Sequence, residues 1–428
     1  MVQIKHALMV LGIIIVVIVI YYLSKLAAAY ETFDNPDFKS EPEYKAQIAL
    51  LSKKFSSTAD AKRPVSDLLS TIDMPPVQQN FVNFYALACR YPGYIGPMNE
   101  GYVDPDIGIQ NAVQAGCRVF VLDIDYLDDC TEAATKYFPR LVVRDSQGKI
   151  VMKYSGNLPF CNTESSSNLA IICEKINFYA FASSCQQASD PVVIVLYFVR
   201  QPPGSYKSQT VLDYYSHVAK AMKPFKDRIL TNELNGGTFY RQKQENRLLI
   251  NKITDYNGKV LIFSNANTSG FRENQTYSPM EDLDYLVNLR LSYTQTQLGV
   301  TSNDSGSSFG ILQTVEDYTV VPPDRADEVV EHTKLKWTIC LSKDPLAPVS
   351  SKVYQEITKT FGVNCVPAIL FDPMSNDFLF SDSLFKTYGF QPKPEPLRYI
   401  KPPVVTPAQP NPSTDAKQGM LRSPVSSA

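Results

Sequence analysis

Four carboxylates close the run "RVFVLDIDYLDD": Asp123, Asp125, Asp128 and Asp129. Alternate residues of a strand face the same side, so Asp123 and Asp125 would project together. Paired carboxylates can do acid–base work or help to hold a hard cation. The plainer reading is a hydrogen-bonded strand end followed by a solvated loop. Partners for chemistry are scarce, because the chain has only 3 histidines, at His6, His217 and His332. His217 lies off the helical stripe Val211, Tyr215, Val218 and Met222, and so reads as solvent-facing. Arg90 and Arg144 could grip a phosphate bidentately, or could simply form salt bridges at a rim. The 8 cysteines contain no C-x-x-C pair, which argues against a zinc site. Buried free thiols, or two or three disulfides in an oxidising compartment, are both open.

These residues need elements to position them. "IGIQNAVQAG" reads as a helix stopped by Gly116, and it leads directly into the buried strand "RVFVLDID". "FVNFYALAC", "PVVIVLYFV", "GKVLIFSN", "YLVNLRLSY", "LKWTICLS" and "CVPAILFD" supply further short apolar strands. "RLVVRDSQGKIVMKY" looks like two strands about a turn, and helical stripes separate several of the others. Such alternation predicts an α/β fold with parallel strands, and their number suits a closed barrel.

The expected organisation is an anchor over 1–29, a polar stalk over 30–76, a barrel over 77–400 and a disordered Pro/Ser-rich tail over 401–428. Ala7 to Leu23 carries no charge and lies between Lys5 and Lys25. It sits near the lower length limit of a membrane-spanning helix. A cleaved signal peptide ending at Ala27–Ala29 is the rival. The near-even Lys5 and Lys25 leave the orientation open. Sequons at Asn267, Asn274 and Asn303 would permit glycosylation of a lumenal body. With 41 basic and 43 acidic residues, net −2, no global field selects nucleic acid.

The order of segments resembles the barrel of phosphoinositide-specific phospholipase C. Gly116, Cys117, Arg118 and Asp123 match the family's G-C-R-x-x-E-x-D, and "PRLVVRDSQG" stands for P-x-V-x-H-G. "ICEKINFYAFASS" before "PVVIVLYF", then "NGKVLIFSN", then "GVNCVPAILFD" and "FKTYGFQPKPEPLRY" continue the pattern. The resemblance covers about residues 77–400 and implies a distorted (β/α)8 TIM-type barrel of the phospholipase-C-like phosphodiesterase class, preceded by a transmembrane helix.

The same resemblance implies that the chemistry is missing. The family's two histidines fall on or near Arg90 and on Val143 or Arg144. Its calcium-binding glutamates fall on Val121 and Tyr197, and its substrate lysines on Phe263 and Asn265. No cofactor is therefore expected, and the calcium site reads as lost. Arg90, Arg144 and Asp123 remain as candidates for a phosphate, with no catalytic residue assigned. The expected protein is a single-pass, membrane-anchored, inactive barrel used as a structural or interaction module. An anionic head-group binder and a divergent phosphodiesterase are the alternatives. Apolar N-terminus, degenerate barrel and Pro-rich tail together resemble proteins carried by large DNA viruses of protists and algae. That would place it in the virion or its inner membrane, against a capsid or envelope component.

Overall fold

Val119–Asp125, Val192–Phe198 and Val260–Ser264 are rich in β-branched residues and almost wholly buried, as parallel strands covered on both sides must be. The computed structural model describes residues 38–56, 62–98, 100–128, 130, 136–153, 167–231, 242, 245, 247–274, 276–293, 309–371, 379 and 384–401. The expected anchor Ala7–Leu23, residues 402–428 of the Pro/Ser-rich tail, Asp129 and Asn303 lie outside these. Among the described residues no helix is long and apolar enough to cross a membrane.

Along the chain the strands are β1 (Phe84–Ala86), β2 (Ala88–Arg90), β3 (Tyr94–Gly96), β4 (Gly101–Val103), β5 (Val119–Asp125), β6 (Arg140–Leu141) and β7 (Met152–Lys153). They continue as β8 (Val192–Phe198), β9 (Val260–Ser264), β10 (Leu289–Tyr293), β11 (Phe309–Thr314), β12 (Thr338–Leu341) and β13 (Phe390–Pro392). The order β2-β5-β8-β9-β10-β11-β12 is parallel throughout, and β6 adds antiparallel to β5. Residues 365–368 join the two edges. Ala368 bridges Cys89 of β2, and Cys365 bridges Ile339 of β12. The Arg90 N–H donates to Ala368 O at 3.0 Å, and the Cys365 N–H to Thr338 O at 3.1 Å. The curled parallel sheet is thus carried round to a ring by isolated bridges, not by a further strand of the sheet.

The period-2 alternation decides which residues fill that ring. Val119, Val121, Val193, Val195, Leu261 and Phe263 belong to the inner apolar cluster. Their neighbours Phe120, Leu122, Ile194, Leu196 and Ile262 belong to the outer one, beneath the helices. The helix Pro105–Ala115 shows how the connections are cut. Asp104 accepts from the Asp106 and Ile107 N–H groups at its start, and Gly116 ends it at φ 98°, where a side chain would be strained.

The stretch expected to be a stalk instead packs on the barrel wherever it is described. Tyr44, Ile48, Leu51 and Phe55 recur at helical spacing on Pro42–Ser56, and three of them are buried. The Tyr44 hydroxyl donates to Asp104 at 2.7 Å, and Gln47 donates to Ile95 O at 2.6 Å. Further on, Val65, Leu68 and Met74 join the inner cluster. An apolar stripe of this kind has to be covered, and the polar composition around it hides the stripe.

At the start of β8, Asp190 is buried and accepts from the Val65 N–H at 2.9 Å. Burial pushes its carboxyl up to about 6, against a smaller opposing pull from Arg118. A raised carboxyl stabilises the fold only while protonated, so this contribution is present at pH 4 and lost as pH rises through 6. Asp190→Asn keeps the acceptor without the charge. It is expected to match the parent in chemical denaturation at pH 4 and to exceed it by on the order of 2 kcal/mol at pH 8. Equal stability at both pH values would show that the buried charge is compensated elsewhere.

Candidate functional site

The inner-face parity that sends Val119 and Val121 into the barrel carries β5 on to Asp123 and Asp125. Both carboxylates therefore emerge where the parallel strands end. β2 delivers Arg90 to the same place, and β8 delivers Tyr197, which is in register with Asp123. A cavity of about 430 Å³ opens there, lined by Arg90, Asp123, Arg144, Tyr197, Asn265 and Lys343 among others. A larger hollow of about 670 Å³ lies between helices on the flank, walled largely by amides such as Gln110, Asn111, Gln114 and Gln186. Size favours the flank. Convergence of strand ends and charges favours the mouth, where (β/α) barrels gather their reactive groups.

At the mouth Arg90 and Asp123 meet as a fork. Arg90 Nε lies 3.0 Å from Asp123 Oδ1, and Nη2 lies 2.6 Å from Oδ2. The two residues are 6% and 1% exposed. Arg90 Nη1 donates to Ser342 O at 3.2 Å, and the Tyr91 hydroxyl donates to Asp123 Oδ2 at 3.2 Å. The guanidinium carbon lies 5.1 Å from the Tyr91 ring centre and 5.8 Å from that of Tyr197. Burial alone would lower the Arg90 pKa, but the Asp123 carboxylate outweighs it and holds the guanidinium above its usual value. Burial also pushes the Tyr91 hydroxyl well up, so neither group exchanges a proton near neutral pH. Tyr91 adopts φ 56°, the left-handed region that costs a residue with a side chain about 1 kcal/mol.

Asp125 is fully buried and has its own cations. Arg144 Nε donates to its Oδ2 at 2.8 Å, Arg200 Nε to its Oδ1 at 2.5 Å, and the Tyr126 N–H to Oδ1 at 2.7 Å. Arg144 Nη2 also lies 2.8 Å from Oδ2, but off the line of a good hydrogen bond. Arg200 continues to Asp128, Nη2 to Oδ2 2.8 Å, and lies 4.0 Å over the Tyr126 ring. Hydrogen bonding to Arg200 pulls the Asp128 carboxyl below its usual range.

The structure thus brings Arg90 and Asp123 together and puts Arg144 on Asp125. Arg200 was missed by sequence reasoning. Its signal is a cation just past β8, beside a strand that ends in acids. Val121 is inside the barrel core, and Phe263 packs edge-on to Trp337, with centroids 4.8 Å apart. Asn265 is engaged with Phe198, accepting from its N–H at 2.8 Å and donating to its carbonyl at 3.1 Å. His217 lies on the helix Gln209–Ala221, its Nδ1 2.7 Å from Asp213 O, and His332 lies on Ala326–Leu335. Neither lines the mouth.

No protein-family model matches the sequence, and no curated protein is similar to it. Solved structures are similar at low identity. PLC21 of L. pealei aligns with TM-score 0.48 and 13% identity over 76% of this chain and 39% of its own. The chain thus spans about two fifths of that protein's length. A calcium-dependent phosphoinositol-specific phospholipase C from Pseudomonas sp. gives TM-score 0.44 and 13% identity, over 74% and 96%. A Ca2+-dependent phosphatidylinositol-specific phospholipase C from Streptomyces antibioticus gives 0.42 and 10%, over 73% and 99%.

Proposed function

We propose that this chain is a phospholipase-C-like barrel that does not hydrolyse lipid. On this reading it serves as a structural or interaction module, held at a membrane by its N-terminal apolar run. The observation that carries the reading is the buried Arg90–Asp123 fork at the strand ends. A guanidinium stays protonated at neutral pH and cannot act as a general base. Calcium does not fit the residues present. It takes six to eight oxygens. Both oxygens of Asp123 are engaged by Arg90, those of Asp125 by two further arginines, and Val121 and Tyr197 offer no carboxylate. The apolar N-terminus, altered barrel and Pro-rich tail extend the proposal to a virion or inner membrane of a large DNA virus, with a capsid or envelope protein as partner. A net charge of −2 supports leaving nucleic acid out.

A second reading has one observation in its favour. Arg90, Arg144 and Lys343 line the mouth cavity with only one acid, Asp123. That balance suits an anionic head group held without cleavage.

The full-length protein in mixed micelles containing labelled phosphoinositide is expected to release no head group above a blank, with calcium or with chelator. Loss of one acid–base group costs about 10²- to 10⁴-fold, and loss of a charge-stabilising group costs a comparable factor. Calcium-dependent turnover that vanishes in Asp123→Asn would overturn the proposal. Calorimetric titration with inositol phosphates separates the second reading. Saturable binding that Arg144→Met abolishes would put it first.

A further inference from the structure

We propose that Cys185 is a modification site that exchanges with small peptide disulfides, and that the flank hollow of about 670 Å³ holds the incoming peptide. Cys185 follows the helix Leu169–Ala180 and stands half-buried on the wall of that hollow. Cys89, Cys117, Cys173, Cys340 and Cys365 are buried instead, and burial raises the pKa of each. Little thiolate forms on them. Access therefore selects Cys185 among the described thiols. The sulfur also has a cation beside it. Arg118 Nη2 donates to Cys185 Sγ at 3.0 Å, and Nη1 donates to Ala180 O at 2.9 Å. Arg118 is fully buried, its Nε has no partner, and among the described residues no carboxylate comes within ion-pair distance of it. A partly exposed sulfur in an electropositive setting is where reactive cysteines are found.

A second observation points to what the hollow takes. Gln187 is 1% exposed and lines it; its Nε2 donates to Arg63 O at 3.2 Å, but its Oε1 has no partner among the described residues. Asn111, on the helix Pro105–Ala115, lines the same hollow, and its Nδ2 has none either. Buried polar atoms are costly to leave unmade. One such acceptor and one such donor complement the N–H and C=O of a peptide group. Gln110, Gln114 and Gln186 continue this uncharged amide wall. Lys62 adds a positive charge suited to a peptide carboxylate, its Nζ donating to Phe385 O at 2.8 Å and to Lys386 O at 2.6 Å. The volume lies within the range of small-ligand sites.

The co-reactant is the disulfide form of a small thiol peptide. Cys185 Sγ, its proton given to water, attacks one sulfur of that disulfide. A new S–S bond forms as the peptide's own S–S bond breaks, and the other half leaves as a thiolate that takes up a proton. Cys185 is thereby oxidised, and one peptide half is reduced to its thiol.

The test adds oxidised glutathione to the full-length protein in detergent micelles and follows its mass with time, with peptide mapping of the labelled cysteine. One glutathionyl group should appear on Cys185, be absent in Cys185→Ser and leave with a thiol reductant. Bis(2-hydroxyethyl) disulfide, which has no peptide group, measures access alone. The rate should saturate with oxidised glutathione and rise linearly with the hydroxyethyl compound. Asn111→Leu should raise the half-saturating concentration about tenfold, the worth of one hydrogen bond, with the hydroxyethyl rate unchanged. Failure of Cys185 to react with either disulfide, or label that persists in Cys185→Ser, overturns the site. Linear kinetics with both disulfides overturns the hollow as a peptide site and leaves Cys185 an accessible thiol only. An unchanged half-saturation in Asn111→Leu overturns the amide wall as the recognition surface.

Discussion

Arg90→Met is expected to destabilise the fold by about 3–5 kcal/mol, because it strands the Asp123 carboxylate in a site with almost no water. The carboxylate would keep only the Tyr91 hydroxyl, at 3.2 Å. Asp123→Leu should cost a similar amount, since it strips the 6%-exposed Arg90 of its fork and leaves it the hydrogen bond to Ser342 O. The double variant Arg90→Met/Asp123→Leu should recover most of both losses. Two apolar side chains of similar volume avoid the desolvation that two buried ions carry. Urea denaturation of the four proteins gives the coupling energy directly. Single variants that each lose less than about 1 kcal/mol would mean that water reaches the pair, and the fork would then be too weak to exclude a ligand from Asp123. Recovery in the double variant has a functional meaning as well. It would show that the mouth tolerates closure by apolar groups, as a scaffold can and a catalytic site cannot.

The ring and its contents could be read from alternation and from segment order. Val119, Val121, Asp123 and Asp125 share a parity, and one glance at that parity places two carboxylates at a strand end. What the chain does not reveal is pairing across the ring. Arg90 reaches Asp123 because β2 and β5 are neighbours with Arg90 opposite Val121. Arg200 reaches Asp125 because β8 lies on the other side of β5. Both contacts depend on strand order and register, which no local pattern encodes. Composition also misled. Pro42–Ser56 is polar on average, and the stripe Tyr44, Ile48, Leu51, Phe55 carries the docking information that the average removes. Fully buried charges were the other blind spot. Arg118 donates to Ala180 O at 2.9 Å, at the end of the helix Leu169–Ala180. A sequence reader places an arginine at the surface by default.

Asn364→Ala is expected to cost about 3–5 kcal/mol, although the residue touches neither the mouth nor any candidate ligand. It precedes the segment that joins the two edges of the ring, and it is 1% exposed. Its Nδ2 donates to Val82 O at 2.7 Å and to Phe84 O at 2.9 Å. Its Oδ1 accepts the Thr338 N–H at 3.0 Å and Lys393 Nζ at 3.2 Å. One amide thus fastens the start of β1, the start of β12 and the chain beyond β13 to a single point. Alanine leaves these groups facing a cavity too small to hydrate them all, and each buried polar group left unmade costs about 1–3 kcal/mol. Lys393 suffers most. It is fully buried, the other acceptor within reach is Thr333 O at 2.9 Å, and burial already pushes its ammonium pKa well below the usual value. A lowered ammonium pKa contributes stability above the ordinary lysine range and loses it as pH falls through the folded value. The penalty in Asn364→Ala should therefore be smaller at pH 10 than at pH 6, because a neutral amine needs the lost acceptor less. Adding Lys393→Met to Asn364→Ala should flatten that pH dependence. A penalty that stays the same from pH 6 to pH 10 would show that Asn364 acts through its backbone partners alone. A total loss below about 1 kcal/mol would show that the ring is held shut elsewhere.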